Sequence, residues 1–245
     1  MEDQQNVFAI QGLGKRYRGA SDFAVRGIDI VCRGAEIVGL LGLNGAGKST
    51  VIKCLTGFLP FEEGRIEICG HDIVTDAVAA KRCFGYVPDN RAVFARMTGR
   101  EYLNFVADVY RVGGEDRKRR TEELSEVFGL GAKVDQLIES YSHGMRQKIC
   151  LIAALIHRPR LWILDEPLTG LDPQSAKALR EYMKAYKAEG NTVLYSSHNL
   201  DAVEKTCDRA VIIKQGTILA DVDIKKFVAE KGKSLEEAFI DLFEG

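Results

Sequence analysis

The 245-residue sequence predicts an α/β core with a mostly parallel sheet, interrupted by an inserted helical lobe. Three observations predict it. Strand-like apolar runs recur in both the first third and the last third of the chain. One of them passes through a glycine-rich turn straight into an apolar helix. Over residues 88–158 the texture changes to apolar positions three and four apart with few β-branched residues, the spacing of helices.

In chain order, Val7-Phe8-Ala9-Ile10 and residues 23–31 and 35–41 read as strands, and residues 48–58 as a helix. Residues 65–69 and 83–87 read as further strands. Residues 101–111, 115–128 and 143–157 read as the helices of the insertion. Leu161-Trp162-Ile163-Leu164, Thr192-Val193-Leu194-Tyr195-Ser196 and Val211-Ile212-Ile213 return to strand. Ser234 and Glu237 are spaced as a capping box and predict a short amphipathic helix closing the chain. One domain is expected, with core segments 1–87 and 159–233, a helical lobe over 88–158 and a terminal helix over 234–245.

Composition removes several classes. Lys plus Arg total 34 and Asp plus Glu 35, a net charge of −1 that gives no electrostatic reason to bind nucleic acid. A hydrophobic content of 46% excludes wholesale disorder. The longest purely apolar run, Leu151-Ile152-Ala153-Ala154-Leu155-Ile156, falls far short of the ~18 residues of a membrane span. The polar start Met1-Glu2-Asp3-Gln4-Gln5-Asn6 does not read as a signal peptide, so a cytoplasmic chain is expected. Six cysteines stand apart, with no C-x-x-C pair, and read as small buried apolar residues.

The chemistry concentrates in two places. Gly42-Leu43-Asn44-Gly45-Ala46-Gly47-Lys48-Ser49 fits G-x-x-x-x-G-K-[ST] between a strand and a helix. Glycines let such a backbone curl and point several N–H groups at one phosphate, and the helix start adds its positive dipole end. Lys48 supplies a point charge to the β and γ phosphates, and Ser49 an oxygen for Mg²⁺. Asp165 and Glu166 follow four apolar residues, at the carboxyl end of a strand, where ligands of open α/β sheets bind. Asp165 suits Mg²⁺ and Glu166 suits polarising an attacking water. A P-loop nucleoside triphosphatase core follows from the pair of motifs.

Taken together these residues resemble the ATP-binding cassette (ABC) ATPases, the motor subunits of ABC transporters. Tyr141-Ser142-His143-Gly144-Met145 stands where that family's Leu-Ser-Gly-Gly-Gln signature would be, and Leu168-Thr169-Gly170-Leu171-Asp172 looks like the loop after its catalytic carboxylate. His198 follows a strand as the family's switch histidine does, and Tyr17 matches its adenine-stacking aromatic. The resemblance covers nearly the whole chain. It implies an antiparallel β subdomain at the N-terminus. It also implies ATP held by Tyr17, Asn44, Gly45, Ala46, Gly47, Lys48, Ser49 and Thr50, with Asp89 and Asp165 beside it. Mg²⁺ would sit on Ser49, Asp89 and Asp165, and Glu166 and His198 would be catalytic. Ser142 and Gly144 would reach the γ-phosphate of a second cassette, identical or similar, paired head to tail.

The sequence departs from the family pattern at three places. His143 replaces the first signature glycine, Met145 the glutamine, and Pro88-Asp89 stands where the family has a glutamine. Similar variations resemble cassettes serving exporters of peptides, antibiotics or other hydrophobic compounds. A membrane-spanning permease is therefore the expected partner, holding the cassette against the inner face of the membrane. Phe94, Met97, Tyr102, Phe105, Val109 and Tyr110 either receive a partner helix or, as helical spacing usually reports, form the core of the lobe. Arg117-Lys118-Arg119-Arg120, followed by Glu122 and Glu123, reads as a solvated helix face. The alternative class is a soluble ABC-type ATPase acting on ribosome or DNA, which normally carries paired cassettes or long insertions. A kinase or GTPase is disfavoured by the signature-like segment and by the lack of an Asn-Lys-x-Asp motif.

Overall fold

A computed structural model of the chain describes residues 6–90, 93–232 and 234–237, and the structural statements below concern these residues. The chain runs β1 (Phe8–Lys15), β2 (Val25–Cys32), β3 (Ile37–Leu41), α1 (Lys48–Leu55), β4 (Glu63–Ile68), β5 (His71–Asp72), α2 (Ala77–Arg82) and β6 (Phe84–Val87). The lobe follows with α3 (Gly99–Val109), α4 (Gly114–Val127) and α5 (His143–Leu155). The core resumes with β7 (Leu161–Asp165), α6 (Pro173–Ala188), β8 (Thr192–Ser197), α7 (Leu200–Thr206), β9 (Arg209–Lys214), β10 (Thr217–Asp223) and α8 (Ile224–Lys231).

Two sheets form. The N-terminal one is antiparallel, in the order β2-β1-β4-β5. The other is β10-β9-β3-β8-β7-β6, parallel except for the β9–β10 hairpin. Its central strand β3 is buried throughout, as a strand covered on both faces must be. Alternate side chains go to opposite faces. Val38, Leu40, Leu161, Ile163 and Leu194 join the core shared with the antiparallel sheet and α1. Ile37, Leu41, Trp162, Leu164 and Tyr195 join a second core with α5 and α6.

The lobe docks on the second core through α5, most of which is buried. The contact is close enough that a Cβ on Gly85 of β6 would lie 1.9 Å from the Ala154 carbonyl, so only glycine fits there. Within the lobe, Thr98 and Glu101 form the capping box of α3. The basic run on α4 is held in ion pairs: Arg119 with Asp116 and Glu123, Arg120 with Asp116.

The structure differs from the sequence expectations in three respects. Helices α2, α6, α7 and α8 and strand β10 were not singled out. For α6 the signal was local: Asp172 caps Ser175 N–H at 2.9 Å and Pro173 occupies the first turn. The Ser234–Glu237 box is present, with Glu237 N–H donating to Ser234 Oγ at 3.2 Å, while residues 238–245 of the predicted helix, like residues 1–5, lie outside the described residues. None of the six apolar lobe residues is buried: Phe94, Phe105 and Val109 are exposed, while Tyr102 packs half-buried against the core cluster that contains α5. Four cysteines are buried as expected, but Cys69 and Cys83 are half-buried.

Candidate nucleotide site

The glycine turn after β3 leads into α1 through Gly47, whose φ of 113° is a left-handed conformation that favours glycine. A Cβ there would also press on Val25 at 2.6 Å. Gly47 caps α1 without a side-chain bond, and the first turn of α1 carries no acidic residue. Its N–H groups, which no helix can pair internally, are left to face an anion.

Lys48 is buried at the start of this helix. Its Nζ donates to the carbonyls of Gly42 at 2.7 Å and Leu43 at 3.3 Å. Burial pulls the ammonium below its ordinary pKa, and the charges of Glu166 and Asp165 oppose that pull. The carboxylates therefore help keep the lysine charged.

The carboxylates arrive on β7. Register places Asp165 beside Ser196 of β8, and Ser196 Oγ donates to Asp165 Oδ1 at 2.5 Å. The same hydroxyl accepts the Glu166 N–H at 3.2 Å. Ser196 thus fixes both acidic residues. Sequence reasoning missed it, because which strand lies beside Asp165 is decided by sheet packing rather than by local pattern. Glu166 sits at φ 49°, strained for a residue with a side chain. Its Oε1 lies 2.9 Å from His198 Nδ1. Glu166 is 17% exposed and His198 58%, so the pair opens to solvent on the histidine side.

A cavity of about 340 Å³ gathers these groups. Tyr17, Asn44, Gly45, Ala46, Gly47, Lys48, Ser49, Thr50, Asp89 and Glu166 line it, joined by Ala24 and Leu43. Tyr17 is anchored by a hydrogen bond of 3.1 Å between its hydroxyl and Thr50 Oγ1, leaving its ring part-exposed at the rim. Asp165 lies behind the wall and His198 beside Glu166. Ser142 and Gly144 are not among the lining residues. Ser142 instead caps α5, its Oγ accepting the Met145 N–H at 3.2 Å. The adjoining His143 ring packs on Gly170, where a Cβ would come within 2.3 Å of it. Gln147, also unforeseen, donates to the Pro167 carbonyl at 2.9 Å and ties α5 to the segment after Glu166.

A second, larger cavity of about 820 Å³ lies between the core and the lobe. Phe58, Tyr86, Tyr102, Tyr110 and His157 supply its aromatic wall, with Lys53 and Lys81 also lining it. His157 stacks on Tyr110 at 3.6 Å and donates from Nε2 to the Phe84 carbonyl at 3.0 Å. Burial pushes its pKa down to about 4, so the ring is neutral at neutral pH. Pro88 lines this groove while Asp89, the next residue, lines the nucleotide cavity.

A glycine-built anion cradle, a buried lysine and two carboxylates at the end of β7, two strands from β3 in the same sheet, place the protein in the class of P-loop nucleoside triphosphatases. Residues 25–169 match the family model described as ABC transporter, and the chain belongs to that family, as a cassette of the ATPase kind. It is 40% identical over 196 residues to the linearmycin resistance ATP-binding protein LnrL of Bacillus subtilis (strain 168). That match covers 80% of this chain and 63% of LnrL, so the chain spans under two thirds of that relative. Among solved structures, an ATP-binding subunit of an ABC transporter superposes with a TM-score of 0.91 at 31% identity, covering 97% of this chain and 99% of that one. A dimeric ATP-binding cassette in a post-hydrolysis state with ADP and Pi shares the fold, with a TM-score of 0.80 at 20% identity over 89% of this chain and 98% of that one.

Proposed function

We propose that the chain binds ATP with Mg²⁺ in the 340 Å³ cavity, hydrolyses it there, and powers a membrane-spanning permease as one of two cassettes paired head to tail. The observation that carries this is the placement of Glu166 and Lys48 in one cavity, with His198 hydrogen-bonded to the glutamate. The free N–H groups of α1 and the Lys48 ammonium take the phosphates, and the Tyr17 ring supports the base. Glu166 accepts the proton of the attacking water on Oε2, while His198 Nδ1–H holds Oε1 and orients the carboxylate. General-base catalysis of this kind contributes roughly 10²–10⁴-fold.

The oxygen donors fit Mg²⁺. No cluster of three or more His, Cys, Asp or Glu able to hold a metal occurs among the described residues. A cation held by Ser49, Asp165 and Asp89 would thus take its other ligands from water and phosphate, the habit of Mg²⁺. When bound, it neutralises charge across the β and γ phosphate oxygens.

Ser142 and Gly144 stand outside the cavity of their own chain, at a helix N-terminus, which supports their use on the nucleotide of a second copy or a similar cassette. The dimeric cassette of like fold supports the pairing of two cassettes. The aromatic groove fits the apolar face of a short permease helix, and Lys53 and Lys81 favour an acidic residue on it. Among the described residues no helix is long and apolar enough to cross a membrane. On this reading the permease holds the cassette at the inner membrane face. The drug-resistance role in the name of LnrL supports export.

Glu166→Gln tests the reading, because it keeps shape and removes the base. Turnover should fall at least about a hundredfold, while ATP remains bound and light scattering reports a dimer. The same variant, used as bait with ATP on detergent-solubilised membranes, should recover a polytopic membrane protein in stoichiometric amount. Wild-type turnover would sink the catalytic assignment. Recovery of ribosomes without a membrane protein would sink the transport assignment.

A further inference from the structure

Tyr17 stands just past the end of β1, where the sheet holds that strand irregularly. The ladder of β1 shifts register between Gln11 and Gly14 against β4, and between Leu13 and Lys15 against β2. Its last pair with β4 is Gly14 opposite Glu63. Beyond that pair Glu62 takes over. Its N–H donates to the Gly14 carbonyl at 3.0 Å. Its Oε1 accepts from Lys15 Nζ at 2.7 Å, and its Oε2 accepts the Arg16 N–H at 2.7 Å. Gly14, Lys15 and Arg16, the three residues before Tyr17, are thus all bound to one glutamate, which is not among the residues lining the nucleotide cavity.

We propose that Glu62 is a positioning residue for nucleotide binding, clamping residues 14–16 so that the Tyr17 ring stands ready to stack on the base. This role rests on the reading of the 340 Å³ cavity as a nucleotide site.

The ring is held at two points. On the backbone side, the clamp is joined by the Lys15 carbonyl, which accepts the Ala24 N–H at 2.8 Å, and by the Tyr17 carbonyl, which accepts the Ala20 N–H at 3.0 Å. The Arg16 guanidinium lies 4.4 Å from the centroid of the Phe23 ring, a further tether on the same segment. At the far end, the Tyr17 hydroxyl is hydrogen-bonded to Thr50 Oγ1 at 3.1 Å. With only one of these holds, a part-exposed tyrosine could swing away from the cavity. Held by both, it is ordered before a ligand arrives, and binding does not have to supply the ordering entropy.

The clamp needs a carboxylate. Two donors reach Glu62 at once, and only an ionised carboxyl offers an acceptor oxygen to each. The bond from Lys15 and that from the Arg16 N–H hold the Glu62 carboxyl below the usual carboxylate range, so it is charged at neutral pH. Lys15 itself is buried, and Glu62 is its ion-pair partner.

The test measures the affinity of the full chain for ATP and for tripolyphosphate, which carries phosphates but no base, by isothermal titration calorimetry. Glu62→Gln has one acceptor oxygen for two donors. It should weaken ATP binding about tenfold, within the range an aromatic–base stack supplies, and leave tripolyphosphate unchanged. In a Tyr17→Ala background the same substitution should cost nothing more, because there is no ring left to position. Two double variants avoid leaving a buried cation unpaired. With Lys15→Met, Glu62→Gln keeps an acceptor for the Arg16 N–H and should restore most of the ATP affinity. With Lys15→Met, Glu62→Ala has no acceptor and should show the loss. Four results would overturn the role of Glu62 while wild-type ATP binding upholds the nucleotide site: an ATP affinity indifferent to Glu62→Gln, an equal loss for tripolyphosphate, an undiminished loss in the Tyr17→Ala background, or equal affinities of the two double variants. A wild-type chain that binds neither ligand would overturn the nucleotide site itself, and this role with it.

Discussion

The two cavities flanking β6 are built on opposite principles. The nucleotide cavity is formed largely by backbone and charge. A continuous run, residues 44–50, supplies most of its wall, and Lys48 and Glu166 face the same space. The core–lobe groove is more than twice as large and made of side-chain surface drawn from residues 53–157, including Phe58, Tyr86, Tyr102, Tyr110 and His157. Phosphate recognition needs a particular backbone curl, so it compresses into one motif. An apolar groove needs only complementary shape, which many side chains far apart in sequence can provide. Pro88 and Asp89 belong one to each cavity, so any movement of this dipeptide is felt on both sides.

That contrast predicts separable damage. Lys48→Ala strikes the nucleotide side alone. It removes the buried cation from the cradle and should weaken ATP binding by about a hundredfold or more, the scale of a lost charge-assisted contact. Equilibrium binding with a fluorescent ATP analogue reads the effect, and unchanged affinity would contradict the cradle. The aromatic stack at the groove should be unaffected.

His157 probes the groove side through pH. Its folded pKa of about 4 lies below the value of ~6.5 expected when unfolded. The unfolded chain therefore binds the extra proton first as pH drops. The stability due to neutral His157 is complete above pH ~6.5 and is lost as pH falls toward about 4. Between pH 7 and 5 this amounts to roughly 2 kcal/mol, and His157→Gln should flatten that part of the profile. Urea unfolding at the two pH values measures it. An equal slope in wild type and variant would show that the ring is not held neutral.

Phe58→Ser should have the smallest effect on the isolated chain. The side chain is 75% exposed, so stability should move by no more than about 0.5 kcal/mol, with ATP affinity unchanged. Recovery of the membrane partner should nevertheless fall, since an exposed aromatic is removed from the groove. A lost ATP affinity would show that the two cavities are not separable in this way.

The nucleotide site could be read directly from the chain because its parts impose local conditions. Gly47 must adopt a left-handed φ, Lys48 must start a helix, and Asp165 must end a buried strand. The family resemblance implies that Glu166 and His198 are both catalytic, and the structure supplies the 2.9 Å contact between them. Ser196 was hidden because serine in an apolar strand has no signature until its neighbour is known. The exposure of the lobe residues Phe94, Phe105 and Val109 was undecided for a related reason. Helical spacing shows that they share a face, but not which neighbour, if any, covers it.

Sequence alone was therefore sufficient for the α/β class, the inserted lobe and the glycine turn between strand and helix, all of which rest on periodicity and backbone chemistry within short windows. Strand order, the locking of both carboxylates by Ser196 and the groove beside β6 depend on long-range packing. Each joins residues that lie far apart along the chain and close together only once the two sheets and the lobe have buried their apolar faces against one another. Hydrophobic burial chooses those neighbours without regard to sequence separation, and no local pattern records the choice.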